Sequence, residues 1–269
     1  MKLWLHDRIV EDTDAWIDPT DRGLTLADGL FETVRARTGK PLRLAAHLAR
    51  LHAGARALGI PVPKSDKDMA DAMTELLKAV GLRDAMLRLT LTRGPGARGL
   101  ATPAEMHPTL MITASPAPAD DPPPARAIIA SITRRNEFSP LTHFKTLNYL
   151  DNILARREAE DKGADDALLL NTQGRLAEST VANLFVVIDG DVLTPPVSEG
   201  ALPGVMRAEI IDRLDAATAQ LHPADLADAT EAFLTNASGV RALISVDGKP
   251  IGSGKEGGVT LRLKKETVE

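Results

Sequence analysis

The apolar residues of the N-terminal half recur at helical spacing in two segments. In "LRLAAHLARLHAGARALGI" the steps alternate between four and three residues, at Leu44, Leu48, Leu51, Ala55 and Leu58. This period predicts an amphipathic helix that ends at Gly59. A second helix of the same period is predicted to end at Gly81, with an apolar face formed by Met69, Met73, Leu76 and Val80.

Other segments alternate between apolar and polar residues, which predicts strands. In "MLRLTLT" (86–92), three leucines lie on one face and Arg88 lies with two threonines on the other, as in a half-buried strand. Further strands are predicted at 109–114, 127–132 and 231–236, hairpins around 172–174 and over 183–196, and helices at 149–162 and 204–217. Because strands outnumber clear β–α–β units, the pattern favours an α+β fold.

A proline-rich stretch divides these elements into two groups. "SPAPADDPPP" (115–124) contains five prolines in ten residues, a composition typical of a linker. We therefore predict a small α+β N-terminal domain over 1–114 and a larger C-terminal domain over 125–269.

The composition narrows the classes of partner and of site. The chain of 269 residues has a net charge of −5 and no basic block, which argues against nucleic acid or an anionic membrane as a partner. It has no cysteine, so disulfides and thiolate zinc sites are excluded. Neither a signal peptide nor an apolar run of about 20 residues is present, and we expect a cytoplasmic protein.

Two local patterns do not have the sequence context that their usual function requires. "GPGARG" (94–99) fits a dinucleotide-binding motif, but Pro103 and Pro108 follow where that motif needs a helix. We interpret the segment as a loop whose Arg93 and Arg98 can receive a carboxylate. The six histidines show no metal-ligand spacing.

Four segments together indicate a chemistry: "DRGLTLADGLFETVRA" (21–36), "RLAAHLARL" (43–51), "RRNEFSPLTHFKTLNYL" (134–150) and "GRLAESTVANLFVV" (174–187). With "LPGVMRAEII" and "FLTNASGV" they resemble the fold-type IV pyridoxal-phosphate enzymes over nearly the whole chain. That family includes branched-chain and D-amino-acid aminotransferases and aminodeoxychorismate lyase. The resemblance implies a two-domain fold, a homodimer, and pyridoxal 5'-phosphate held at the domain junction.

The resemblance also implies roles for individual residues. Lys145 holds the cofactor as a Schiff base and acts as the catalytic base. Glu178 faces the pyridine nitrogen, and Arg43 binds the phosphate in the motif R-x-x-x-H-x-x-R-L. Further cofactor contacts are the backbone amides of Val205 and Met206, a donor among Thr235, Asn236 and Ser238, and Tyr149 at the phenolic oxygen.

The reaction depends on which member of the family the chain resembles most. "RGPGARGL" (93–100) is close to a loop of aminodeoxychorismate lyases, which make p-aminobenzoate for folate biosynthesis, and we expect that activity. The same loop resembles that of D-amino-acid aminotransferases. Leu100 departs from both patterns, and Phe31 departs from the D-amino-acid aminotransferase pattern. Arg98 is expected to bind the substrate carboxylate in either case, with Arg93 and Phe31 as further substrate contacts. A branched-chain aminotransferase and a non-catalytic binding protein remain alternatives.

Overall fold

The computed structural model describes residues 1–268, which form two compact units. Residues Met1–Pro118 and Phe144–Asn148 make up the first unit, and Ala119–His143 with the described residues from Tyr149 onward make up the second. In the described part of the chain, no helix has both the length and the apolar character needed to cross a bilayer.

The first unit is an antiparallel six-stranded sheet, and the two longer of its three helices pack against one face. Its strands are β1 (Lys2–Leu5), β2 (Arg8–Glu11), β3 (Gly29–Arg37), β4 (Lys40–Pro41), β5 (Ala85–Thr92) and β6 (Leu110–Pro116), in the order β2-β1-β6-β5-β3-β4. Its helices are α1 (Arg22–Leu26), α2 (Leu44–Leu58) and α3 (Asp66–Val80). The predicted ends of α2 and α3 are confirmed, since Gly59 and Gly81 are left-handed C-caps with φ of 64° and 72°.

Alternation along the strands decides which side chains reach the core of this unit. Leu87, Leu89 and Leu91 of β5 are fully buried against the helices. Because successive side chains of a strand point to opposite faces, Arg88 turns to the other face of the sheet. Strand β3 behaves in the same way and directs Phe31 to that second face.

The second unit contains a nine-stranded mixed sheet. Its strands are β7 (Ala125–Ile129), β8 (Asp166–Leu170), β9 (Leu176–Ser179), β10 (Asn183–Ile188), β11 (Asp191–Thr194), β12 (Ala217–Thr218), β13 (Glu231–Asn236), β14 (Gly239–Val246) and β15 (Lys249–Pro250). The order is β12-β11-β10-β13-β14-β7-β8-β9, with β15 paired to β14. The helices are α4 (Leu150–Asp161), α5 (Val205–Leu214) and α6 (Gly258–Val268).

The α+β expectation is confirmed, with one feature that the pattern did not predict. Strands β7 and β8 pair in parallel, and α4 is the helix in the connection between them. Two adjacent parallel strands need a crossover connection, and α4 belongs to the crossover that joins β7 to β8 in the chain.

The division into units differs from the boundaries expected from the proline-rich stretch. Strand β6 runs to Pro116, and the first unit ends at Pro118. Residues Phe144–Asn148 were expected in the C-terminal domain but belong to the first unit. The reason is pairing along β3: the amide of Phe31 donates to the carbonyl of Lys145 at 2.9 Å, and the amide of Leu147 donates to the carbonyl of Gly29 at 3.0 Å.

Candidate active site

Lys145 lies beside an aromatic ring in the first unit. Its backbone is fixed along β3 by the two hydrogen bonds described above, and its side chain is half-buried. The Lys145 Nζ lies 4.4 Å from the centroid of the Phe31 ring, within the range of a cation–π contact. The predicted lysine and Phe31 are therefore brought together.

A second cation, Arg88, contacts the same ring. The sequence pattern did not identify Arg88 as a site residue. The guanidinium carbon of Arg88 lies 3.7 Å from the centroid of Phe31, and the Arg88 side chain is exposed. The alternation of β5 was a signal that Arg88 leaves the core, but it could not show that a ring on the neighbouring strand receives it.

Arg93 is not available to a substrate, which corrects the expectation for this residue. It is buried, and all five of its N–H groups are used within the first unit. Two of them donate to the Asp28 carboxylate, at 2.8 and 3.1 Å, and the other three donate to the carbonyls of Leu58 and Gly59 and to the Met106 sulfur. Arg98, by contrast, is exposed on the loop that follows β5.

The segment that resembles the phosphate-binding motif places two arginines at α2. Arg43 precedes the helix with a left-handed φ of 53° and is half-buried. Arg50 lies within the helix and binds the Glu32 carboxylate through Nε at 2.8 Å and Nη2 at 2.7 Å, with His47 Nδ1 also 2.8 Å from Glu32. The motif itself contained this signal, because Arg50 is its second arginine.

Glu32 is ionised despite its burial. Burial raises its pKa, but hydrogen bonds from Arg50 and His47 outweigh that effect and hold the pKa below its usual value. An anionic Glu32 holds the Arg50 guanidinium in one orientation. A guanidinium that is held in one orientation binds an anion such as phosphate better than a mobile guanidinium does.

Glu178 is the central carboxylate of the second unit. It lies on β9 with its side chain only 8% exposed. The amide of Leu202 donates to it at 2.9 Å, and the Arg135 guanidinium lies 3.1 Å away. Asn183 makes a longer contact of 3.5 Å. These donors hold the carboxylate in one orientation.

The N-terminus of α5 lies next to this carboxylate. Asn183 connects the two, because its side-chain amide also donates to the carbonyl of Leu202 at 2.8 Å. The N-cap of α5 is Gly204, which provides no capping side chain, and a Cβ there would clash with the Asn183 oxygen. The first-turn amides of Val205 and Met206 therefore have no side-chain cap, as a helix-terminal anion site requires.

A buried hydroxyl on the neighbouring strand also lacks a partner. Thr235 is 1% exposed, and its Oγ1 has no hydrogen-bond partner among the described residues. Thr235 pairs with Asn183 across β13 and β10, which places it at the same end of the sheet as Glu178 and α5. A buried hydroxyl without a partner is unusual and is explained if a ligand completes its hydrogen bonding.

Arg207 adds positive charge to this group of residues. It is buried in the first turn of α5, and its Nη2 donates to the carbonyl of Pro195 at 3.0 Å. Burial lowers the pKa of the guanidinium, and the negative charge of Glu178 opposes that shift. Arg135 thus contacts Glu178 directly, whereas the positive charge of Arg207 acts on Glu178 electrostatically.

The remaining predicted cofactor residues occupy less specific positions. The Asn236 amide is used locally, since its oxygen accepts from the Ser238 amide at 2.8 Å and its nitrogen donates to the carbonyl of Val181 at 3.3 Å. Ser238 is half-buried, and so is Tyr149, the N-cap of α4. Of the donors in 235–238, Thr235 has the geometry best suited to a bound anion.

Comparison with known proteins assigns the chain to a family. Residues 29–246 match the model of the class IV aminotransferases, and the chain belongs to this family. Enzymes of the family depend on pyridoxal phosphate and are transaminases or lyases. A protein of Methanocaldococcus jannaschii, named provisionally as a branched-chain-amino-acid aminotransferase, is 34% identical, over 99% of this chain and 95% of its own.

Some other relatives are named as aminotransferases and one is named as a lyase. A D-alanine aminotransferase of Bacillus licheniformis is 28% identical over 97% of this chain and 93% of its own. An aminodeoxychorismate lyase of Bacillus subtilis is 27% identical over 87% and 82%. The crystal structure of the branched-chain aminotransferase of Escherichia coli superposes with a TM-score of 0.92, at 27% identity, covering 99% of this chain and 93% of the other. The expected fold-type IV architecture is confirmed.

Proposed function

We propose that the protein is a pyridoxal-phosphate-dependent transaminase that exchanges an amino group between 2-amino and 2-keto acids. The observation that carries the proposal is the buried Glu178 carboxylate, held by the Leu202 amide and Arg135, beside the uncapped N-terminus of α5. A carboxylate suits a protonated pyridine nitrogen, and free helix amides suit a phosphate. Relatives that are named as aminotransferases and match over nearly the whole chain support this choice.

The residues present fit this cofactor. Glu178 would bind the pyridine nitrogen, and the amides of Val205 and Met206 with the Thr235 hydroxyl would bind the phosphate. Arg43 is the phosphate cation that the family motif suggests, and Arg50 is a second candidate because Glu32 fixes its guanidinium. When bound, the cofactor supplies an aldehyde for attachment and a ring that withdraws electrons from the substrate carbon.

Lys145 performs the proton transfers in this proposal. Its Nζ would hold the cofactor covalently in the resting enzyme and would be released when the substrate amine takes its place. The free amine of Lys145 would then accept the proton from the amine-bearing carbon and later give it back. Phe31, in contact with Nζ, restricts the positions that the Lys145 side chain can take.

A substrate carboxylate needs a cation near the reacting carbon. Arg88 lies on the same ring as Lys145 and is exposed, so it can reach a molecule bound beside Nζ. Its planar fork of donors matches a carboxylate. Arg98 remains a second carboxylate contact, as both the lyase and the D-amino-acid aminotransferase patterns imply.

Aminodeoxychorismate lyase is the competing function. The observation that favours it is the loop "RGPGARGL" (93–100), which is close to the lyase pattern. The substrate would react through the same removal of a proton by Lys145. The substrate would then lose enolpyruvate, which tautomerises to pyruvate, and its ring would become p-aminobenzoate. The amino group would stay on the aromatic product and would not be transferred to a keto acid.

Substrate assays distinguish the two functions. We expect the purified enzyme to convert D- or L-amino acids with 2-oxoglutarate and to be slower with aminodeoxychorismate. Arg88→Gln should raise KM for 2-oxoglutarate by about tenfold or more, as when one member of a charged pair is removed. Arg56→Gln, an exposed arginine in the last turn of α2, is the control. Release of p-aminobenzoate without any transamination would establish the lyase.

We also infer that the protein is a homodimer. Family resemblance supports this, and twofold dimers are the commonest closed assembly. In the isolated chain α4 exposes Leu150, Ile153 and Leu154 on one helical stripe, at 75%, 58% and 41%. An apolar stripe of this kind is typical of a contact surface. We expect light scattering at micromolar concentration to give twice the mass of the chain; an active monomer would contradict the inference.

A further inference from the structure

The loop that carries Arg98 is attached to the start of α1. Arg22 is only 5% exposed, and its guanidinium donates to three consecutive carbonyls of the loop. Nη1 donates to Gly99 at 3.1 Å and to Ala101 at 3.3 Å, and Nη2 makes a longer contact of 3.4 Å with Leu100. One side chain thus fixes the backbone directly after Arg98.

Asp28 fixes Arg22 in turn. The Asp28 Oδ2 accepts from Arg22 Nε at 2.8 Å and from Arg93 Nε at 2.8 Å, and Oδ1 accepts from Arg93 Nη2 at 3.1 Å. Burial raises the pKa of Asp28, but hydrogen bonds from Arg93 and Arg22 outweigh it and keep the pKa below its usual value. A single charged carboxylate therefore orients both guanidiniums.

Two glycines of "GPGARG" allow the loop to pack closely, one against Arg22 and one against the backbone of His107. A Cβ on Gly96 would lie 2.9 Å from Cδ of Arg22 and 3.2 Å from the ring of Pro103. Gly94 has a φ of 87°, and a Cβ there would clash with the carbonyl of His107. Packing against the Arg22 side chain therefore explains Gly96, and the left-handed backbone close to His107 explains Gly94.

We propose that Arg22, fixed by Asp28, is a positioning residue that holds the 94–101 loop so that Arg98 can bind the substrate carboxylate. The inference rests on the proposed function, because it requires a carboxylate substrate. Arg98 is exposed, and a long exposed side chain on a mobile loop would lose much of its freedom on binding. A loop held at three carbonyls removes the backbone part of that cost before the substrate arrives.

The variants Arg22→Gln and Arg22→Lys test this role. Gln removes the charge and the fork, whereas Lys keeps the pair with Asp28 but cannot reach three carbonyls at once. We expect KM for the carboxylate substrate to rise by about tenfold with kcat changed less than about twofold, since uniform binding is lost. The Arg22→Lys variant should have a KM for the carboxylate substrate nearly as high as that of Arg22→Gln. Arg56→Gln on α2 again serves as the control.

A double mutant separates positioning from general destabilisation. If Arg22 acts through Arg98, Arg22→Gln combined with Arg98→Ala should bind no more weakly than Arg98→Ala alone. Additive losses, or a fall in kcat with KM unchanged, would overturn the proposal.

Direct binding distinguishes failure of this proposal from failure of the proposed function. Calorimetry with 2-oxoglutarate requires no turnover. A wild-type enzyme that binds 2-oxoglutarate but transaminates nothing would count against the transaminase assignment alone. An Arg22→Gln protein that binds 2-oxoglutarate with the wild-type Kd would overturn the positioning role. If Arg22→Gln does not fold, Arg22→Lys and Asp28→Asn provide the same comparison, because each weakens the link and keeps a polar side chain in place.

Discussion

Lys145→Ala should abolish turnover while leaving the fold intact. The variant loses both the amine that attaches the cofactor and the base that removes the substrate proton. Because general base catalysis alone contributes about 10²–10⁴-fold, we expect a loss of more than about 10⁴-fold when both roles disappear.

The decrease in the free energy of unfolding of Lys145→Ala should be small. The Lys145 side chain is half-buried and contacts Phe31 at 4.4 Å. A cation–π contact of this kind contributes about 0.5–2 kcal/mol. The main-chain pairing with β3 does not depend on the side chain, so the variant should unfold cooperatively at a temperature only a few degrees lower.

Borohydride reduction followed by peptide mass spectrometry measures the attachment directly. Wild-type protein should carry the cofactor on the peptide that contains Lys145, and the variant should carry none. Lys67→Ala, which removes an exposed lysine of α3, should behave as wild type. A reduced adduct on another lysine would show that Lys145 is a surface cation with its stem packed on the core.

Glu178→Gln should retain the cofactor but slow the reaction by about 10²-fold or more, the usual cost of one preorganised electrostatic contact. A neutral amide cannot hold a proton on the pyridine nitrogen by charge. The ring then withdraws electrons less strongly, and Lys145 removes the substrate proton more slowly. The absorbance spectrum of the bound cofactor should change along with kcat.

The surroundings of Glu178 predict a moderate loss of stability as well. The Leu202 amide and the Arg135 guanidinium both donate to the carboxylate, and the amide nitrogen of glutamine cannot accept from either. A buried donor left without an acceptor costs about 1–3 kcal/mol. Glu160→Gln, on the exposed face of α4, is the matched control and should change neither rate nor stability. A rate near wild type for Glu178→Gln would contradict its role at the cofactor.

Local pattern was sufficient for most of the secondary structure. The helices α2 and α3 end at the predicted glycines because the apolar period and the left-handed C-cap are both local properties. Helix α5 (Val205–Leu214) lies within the predicted range of 204–217. The parallel β7–α4–β8 unit was not predicted, because strand pairing across the length of a helix depends on contacts far apart in sequence.

The sequence by itself determined the family and the candidate residues, since the motifs around Lys145 and Glu178 are contiguous stretches with fixed chemistry. Only the tertiary structure decided how the arginines divide their work. Arg93 is buried with every donor used, Arg22 holds a loop 77 residues away, and Arg88 lies on the Phe31 ring. All three have the same side chain, and a guanidinium takes its role from the acceptors that folding places around it, which no local pattern records.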